Sequence, residues 1–504
     1  MTDTLSRSDL GSTRTKIFYG FGSAAYGIKD FAFSQLLLVF YNQIVGLPAP
    51  VVGTGIFMAL VFDAFADPIV GQISDNLRTP LGRRHPLMYA SAIPVAVSLY
   101  LLFHPPHWSH SALFAYLVVM AIIVRTFITF YEIPSSALVP EMTDNYDERT
   151  SFLSYRYFFG LAGQVLISFV TFFVLLRPDA AHHIGQLNPA GYAKFSIVAP
   201  VLIVVSILIS TRGTQRLVPL LRVPPVRRIT VLQTLKEMAA TLSHRSFLLL
   251  VVCSLCGATA IGLSAVLLVY FNTYFWGLSA AQISSFGFTG LVAVVLPPLL
   301  APPLSKRMGK RNACLVFFIF SVLAGATTIS LRLLGLFPTN GSPLLLPLLL
   351  LERATTVTMG VSCLILFSSM IADVVEDSQL RTGRRSEGLF YAAMSLVNKA
   401  VSGLGTFVGA QMLGLVNFPQ HADPATLDPS IIRHLAYLYL PVMLVLYGTA
   451  MVVISQYRIS RETHEDNLRR LAESEAMSPD APAVESAAAE KQVDYIAARG
   501  VTGV

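Results

Sequence analysis

Apolar residues in this chain come in runs of about 20 or more, parted by short polar stretches rich in Arg and Lys, with neither strict alternation nor narrow stripes. Runs of that length predict membrane-crossing helices, since about 20 helical residues span a bilayer core. Twelve such runs can be traced: 16–45, 50–74, 86–106, 112–136, 154–176, 193–211, 246–275, 279–304, 313–333, 343–372, 388–416 and 432–456. The pattern predicts an all-α membrane protein with twelve transmembrane helices. A polar N-terminus (1–15) precedes them, and the first run is too long and too polar-punctuated for a cleaved signal peptide. The Ala- and Glu-rich segment 457–504 reads as a tail, partly helical or disordered, with no chemistry of its own.

The pattern repeats. "LLVFYNQIVGL" (37–47) has a counterpart in "LLVYFNTYFWGL" (267–278), so that Asn42 maps to Asn272. Ser74, at the end of the second run, maps to Ser305, and "SSALVPEMTD" (135–144) aligns with "SSMIADVVED" (368–377). The offsets are 230, 231 and 233. They predict two parallel six-helix halves, 16–211 and 246–456, joined by the basic linker 212–245. This is the plan of the major facilitator fold, with a site near midplane between halves. Each half also has a Gly followed by two cations after its second helix: Gly82, Arg83, Arg84 and Gly309, Lys310, Arg311. These read as short hinges whose cations bond helix C-termini and an acidic partner such as Asp373, and so gate one end.

Composition sharpens this picture. The chain is 54% hydrophobic and 13% charged, against about 25% charged in soluble domains. Basic residues crowd one set of loops, among them Arg78, Arg83, Arg84, Arg149, Arg212, Lys310, Arg311 and Arg384, while the alternate loops hold little beyond Arg177, Lys194, Arg332 and Arg433. The positive-inside rule then places the basic loops and both termini in the cytoplasm. The net charge of +7 is a topology signal, and charge spread over short loops argues against nucleic acid as a partner. Cys253, Cys256, Cys314 and Cys363 lie in or beside apolar runs and read as packing residues, with no disulfide or metal site indicated.

Ionisable residues inside the runs carry the chemistry. They are Lys29 and Asp30 in the first, Asp63 and Asp67 in the second, Arg125 and Glu132 in the fourth, Arg156 opening the fifth, Asp373 ending the tenth and Lys399 within the eleventh. Each costs roughly 2.5–3.5 kcal/mol on insertion scales. Most belong to the first half, and so large a set points to binding of something polar more than to ion pairs that merely hold a fold. Asp63 and Asp67 lie one helical turn apart on one face. That arrangement suits a coupling cation, either Na⁺ on oxygen ligands or a shared proton. Arg125 pairs either with an anionic substrate or with Glu132 or Asp30. Tyr26, Tyr131, Tyr155 and Tyr391 are candidates for stacking on a ligand.

The segments "YGIKDF" (26–31), "FDAFADPIVGQISD" (62–75), "EIPSSALVPEMT" (132–143), "SYRYFFGLAG" (154–163) and "IADVVEDSQLRTGRRSEGLFYAAMSLVNK" (371–399) give the chain a further likeness. Along most of 16–456 it resembles the glycoside–pentoside–hexuronide:cation symporters, the melibiose permease family. The resemblance implies that Asp63, Asp67 and Thr129 bind Na⁺, Li⁺ or H⁺. It implies that Lys29, Asp30, Glu132 and Arg156 meet the sugar, that Lys399 links the two sites, and that Tyr391 lies in a matching segment. Two departures bear on specificity. Ala66 stands where the family has an Asn ligand, which favours H⁺ over Na⁺. Ser136 stands where the family has a sugar-stacking Trp, which disfavours a melibiose-like galactoside.

The expected function is cation-coupled (H⁺ or Na⁺) symport of a sugar, glycoside or uronide by alternating access, with no cofactor beyond the coupling ion. The expected place is a plasma membrane, as in a bacterial inner membrane. Transport of an amphiphile such as a lysophospholipid, or a transporter-like sensor, are the alternatives. No HExxH, nucleophile elbow or P-loop is present to suggest an enzyme.

Overall fold

The computed structural model describes residues 9–143, 145–180, 182–221, 245–382, 401, 403–457, 466 and 469–470. Its elements are helices: α1 (13–44, in several pieces), α2 (Ala49–Asn76), α3 (His85–Leu102), α4 (His110–Ser136), α5 (Tyr146–Phe169), α6 (Pro189–Gln215), α7 (Arg245–Tyr270), α8 (Phe286–Met308), α9 (Lys310–Leu333), α10 (Leu345–Thr382), α11 (Gly403–Leu415) and α12 (Pro429–Ser455). No strand is present among the described residues.

Nine helical stretches among the described residues are long and apolar enough to cross a membrane, where the hydropathy pattern predicts twelve spans. The three differences have local causes. The first predicted span is broken at Gly22 and wound as π-helix over Ala32–Leu36 and Phe40–Ile44, and it carries Lys16, Lys29 and Asp30. The eighth and ninth are one apolar stretch, Val295–Leu333, that changes direction at Gly309 (φ 82°). The first part of the eleventh, 388–400, lies outside the described residues, and its remainder holds the shorter helix Gly403–Leu415; most of the 212–245 linker and of the 457–504 tail also lie outside the described residues.

The sequence repeat has a backbone counterpart. Phe40–Ile44 and Phe271–Phe275 are both π-helical. Each is closed by matching bonds: Val45 N to Phe40 O (3.0 Å) and Trp276 N to Phe271 O (2.9 Å), then Leu47 N to Tyr41 O and Leu278 N to Asn272 O (both 2.8 Å). Gly46 (φ 86°) and Gly277 (φ 62°) end the two turns in the left-handed region, where a Cβ is disfavoured.

Helices pack mainly within their own half. In the first half α2 and α3 pack on α4, α1 packs on α5 and α6, and α3 on α6; in the second, α8 and α9 pack on α10 and α7 and α9 on α12. The halves meet at the end away from the basic loops, where residues of both share one hydrophobic core that includes Phe40, Tyr41, Tyr270, Phe418 and Leu435. At the basic end the second half keeps a separate core of Phe247, Cys253, Cys314, Phe317, Cys363 and Met370.

Candidate functional site

The construction of α2 explains how a membrane helix tolerates Asp63 and Asp67. Ala59, Asp63, Ala66, Val70 and Ser74 fall on one face and are buried; Phe62, Phe65, Ile69 and Ile73 fall on the other and are uncovered by protein. The helix is therefore inside-out, with small and polar residues turned to the bundle and large apolar ones turned away, as a lipid solvent requires. Its polar face meets α4, whose own buried stripe holds Ala121, Arg125, Ile128 and Thr129.

The two stripes bond turn for turn. Arg125 Nη2 donates to Asp63 Oδ2 at 2.6 Å, both side chains being buried. One turn further along α4, Thr129 Oγ1 lies 3.1 Å from Asp63 Oδ1 and 3.1 Å from Asp67 Oδ1. Arg125 thus pairs with Asp63 instead of Glu132 or Asp30, the ion-pair partners considered from the sequence. Its guanidinium rests 5.6 Å from the ring of Phe33, and its buried Nε has no hydrogen-bond partner.

A second group adjoins the first. In α1, Lys29 is buried and donates to Asp30 at 2.6 Å, while the Asp30 carboxylate is 38% exposed. The Lys29 ammonium also stands 4.3 Å from the centre of the Tyr26 ring. Tyr26 feels the charges of Asp30, Glu132 and Arg125, which places these four around one space. On α5, Arg156 donates to Tyr19 Oη (3.3 Å) and Ser135 Oγ (3.2 Å), with Glu132 in electrostatic range. Tyr131 is buried and donates to Ser210 (2.9 Å), so it braces α4 on α6. The geometry therefore gathers Tyr26, Lys29, Asp30, Asp63, Asp67, Arg125, Thr129, Glu132 and Arg156 in the first half. Lys399 and Tyr391 lie outside the described residues.

The Gly-cation hinges form clamps inside each half. Arg83 and Arg84 both donate to Glu141 Oε1, at 2.8 and 2.9 Å, and Arg84 also reaches Asp75 (2.6 Å) and Ser74 (2.9 Å). Lys310 donates to Asp373 at 2.6 Å, and Arg311 to the carbonyls of Ser455 and Tyr457 at 3.4 Å. Gly82 (φ 84°) and Gly309 (φ 82°) supply matching reversals. The first clamp ties a loop to the segment that follows α4, and the second ties the start of α9 to α10 and to the end of α12, each within its own half. Among the described residues, the bonds between halves lie at the opposite end of the bundle. There Gln43 bonds Pro419 O (3.0 Å), Ala422 N (2.8 Å), Tyr274 Oη (3.1 Å) and, through its carbonyl, His421 (2.9 Å); Tyr270 donates to Asn42 (2.9 Å), and Gln186 to Leu278 O (2.7 Å).

Three features escaped the sequence reading. Glu141 is the acid that both arginines of the first clamp share; its signal was its place at the end of the repeat segment 135–144. Asn42 and Gln43 form the hub of the seal, and their repeat match with Asn272 pointed to them. Glu352 and Arg353, inside the run "PLLLLERATT", line a cavity of about 160 Å³ within the second half. Trp276, Tyr439 and Tyr447 share its walls, and Thr356 donates to Glu352 at 2.9 Å. An acid and a base side by side in an apolar run were the signal there.

Residues 18–461 match the family described as MFS/sugar transport protein. An uncharacterized symporter of Synechocystis sp. is 28% identical over 94% of this chain and 98% of its own length. A glucuronide carrier protein homolog of Escherichia coli is 27% identical, covering 81% of this chain and 84% of its own. An isoprimeverose transporter of Lactiplantibacillus pentosus is 24% identical, covering 87% and 88%. Among solved structures, a D-xylose-proton symporter superposes with a TM-score of 0.60 over 88% of this chain and 97% of its own, at 13% identity; that likeness is one of fold. The chain is a multi-pass membrane protein of transporter type, not an enzyme, and it belongs to the MFS/sugar transport family.

Proposed function

We propose that this protein is a secondary active transporter that couples the uptake of a sugar, glycoside or uronide to a cation. The observation that carries the reading is the convergence of Asp30, Glu132 and Arg156 beside the Asp63–Arg125–Thr129–Asp67 ladder in one half of the bundle. Carboxylates and guanidinium groups facing one space make several charge-assisted hydrogen bonds to sugar hydroxyls. Asp30, Glu132 and Arg156 are only half-buried, which suits contact with a ligand, whereas Asp63 and Arg125 are buried behind them. A cation bound at the ladder changes the charge next to the substrate groups, so each ligand raises the affinity for the other by the same factor. The names of relatives, a glucuronide carrier homolog and an isoprimeverose transporter, support a carbohydrate substrate.

The halves then rock about the loaded site. With the basic loops in the cytoplasm of a bacterial inner membrane, the seal around Gln43 is the outer gate, and its closure fits a conformation open to the inside. The test is counterflow of labelled sugars in proteoliposomes holding the full-length protein. A sugar or uronide exchanged by wild type and not by Asp30→Ala or Arg156→Ala supports the reading. Equal exchange by wild type and both variants moves the pocket elsewhere.

A further inference from the structure

The Arg125–Asp63 bond decides which cation the ladder can take. A metal ion there would draw on Asp63, Asp67 and Thr129 for oxygen ligands, as hard cations require. One Asp63 oxygen is already given to the Arg125 guanidinium at 2.6 Å, and Ala66, one residue before Asp67, brings no side-chain oxygen. The guanidinium is a fixed positive charge at the place where a metal ion would have to sit.

Thr129 makes the second part of the argument. Its hydroxyl lies 3.1 Å from an oxygen of each aspartate, yet a hydroxyl carries one hydrogen and donates to one acceptor at a time. The single hydroxyl hydrogen serves one of these contacts, and a protonated carboxyl would serve the other by donating to the Thr129 lone pair.

We propose that Arg125 is the specificity-determining residue for coupling: it holds the cation position at Asp63 permanently, excludes Na⁺ and Li⁺, and leaves H⁺ as the ion that binds, shared by Asp63 and Asp67 across Thr129. Proton uptake forms one O–H bond on the aspartate pair, and the summed charge of Asp63, Asp67 and Arg125 goes from −1 to 0. The other charged or titratable groups facing this region are Glu132 on α4, Tyr26, Lys29 and Asp30 on α1, and Arg156 on α5. Of the segments that also touch α2, Phe40–Ile44 carries Tyr41, whose hydroxyl donates to Leu102 O at 2.9 Å, and Gly403–Leu415 carries none. The resemblance places Lys399 nearby, outside the described residues. The inference refines the coupling part of the proposed function, and its test uses no sugar, so it stands or falls apart from the substrate.

Thermal unfolding of the purified full-length protein is measured in NaCl, LiCl and choline chloride at equal ionic strength. A ligand that binds the folded state raises the midpoint by mass action. Wild type is expected to have one midpoint in all three salts. Arg125→Gln is expected to gain a Na⁺-dependent upward shift, lost again when Asp67→Asn is added. A wild-type midpoint that rises with Na⁺, with the rise abolished in Asp67→Asn, overturns the proposal; so does a folded Arg125→Gln that gains no response. An infrared arm needs no Arg125 variant. A protonated-carboxyl band present in wild type at neutral pH and lost in Asp67→Asn supports the shared proton, and identical spectra of the two proteins contradict it.

Discussion

The two halves share a backbone and differ in what they put inside it. The π-helical turns at 40–44 and 271–275, the positive-φ glycines 46 and 277, and the hinge glycines 82 and 309 repeat at nearly constant spacing. The interior chemistry does not repeat. At an offset of 231, Asp63 and Asp67 correspond to Val294 and Pro298; at 233, Arg125, Thr129 and Glu132 correspond to Thr358, Ser362 and Ile365. One half holds a ladder of charges. The other has hydroxyls in the same place, with Thr358 Oγ1 buried and unpartnered. The fold needs the shape at these positions and not the charge, which is why the charge in the first half reads as function.

That contrast breaks most sharply at Asp63. Asp63→Asn leaves the buried Arg125 facing a neutral amide, and breaking a buried pair costs about 3–5 kcal/mol. Unfolding of the variant should show a loss of that size together with loss of concentrative uptake. The clamps come next. Glu141→Gln removes an acceptor shared by Arg83 and Arg84 in a largely buried setting, a loss of about 1.5–3 kcal/mol. Asp373→Asn weakens one pair whose lysine is 30% exposed and should cost about 1 kcal/mol or less. Comparing the two denaturation curves tests whether the first clamp is the stronger.

Asp67→Asn separates transport from folding. It keeps a partner for Thr129, so stability should fall by about 1 kcal/mol or less, while accumulation of substrate against a gradient is abolished. The smallest effect belongs to the second half: Thr358→Val removes a hydroxyl without a partner and should change stability by about 0.5 kcal/mol or less, with uptake at the wild-type level. Loss of uptake in Thr358→Val would mean that the second half takes part in the chemistry.

Much of this was legible along the chain, because a membrane helix admits charge only where the bundle wants it. Asp63, Asp67, Arg125 and Glu132 stood out on those grounds, and the repeat located both hinges. Partners across helices were not legible. The sequence gives the face on which Arg125 lies but not the sliding of α4 against α2 that sets it opposite Asp63 and not beside Asp30. Glu141 was hidden for the same reason, since its partners come from a loop 57 and 58 residues earlier. The broken first helix was half-visible: Gly22 and the charges of 13–30 could be seen, but π-helical winding has no sequence period of its own.

The central claim, that the charged interior of the first half is the transport site, is tested most directly by ligand binding to the purified full-length protein. Thermal stabilisation would be screened with neutral glycosides, pentosides, uronides and lysophospholipids on wild type, Asp30→Ala and Arg156→Ala. The account predicts that a carbohydrate class stabilises wild type and fails to stabilise either variant. Equal stabilisation of all three proteins by the same sugar, or stabilisation of wild type by lysophospholipids alone, would contradict it.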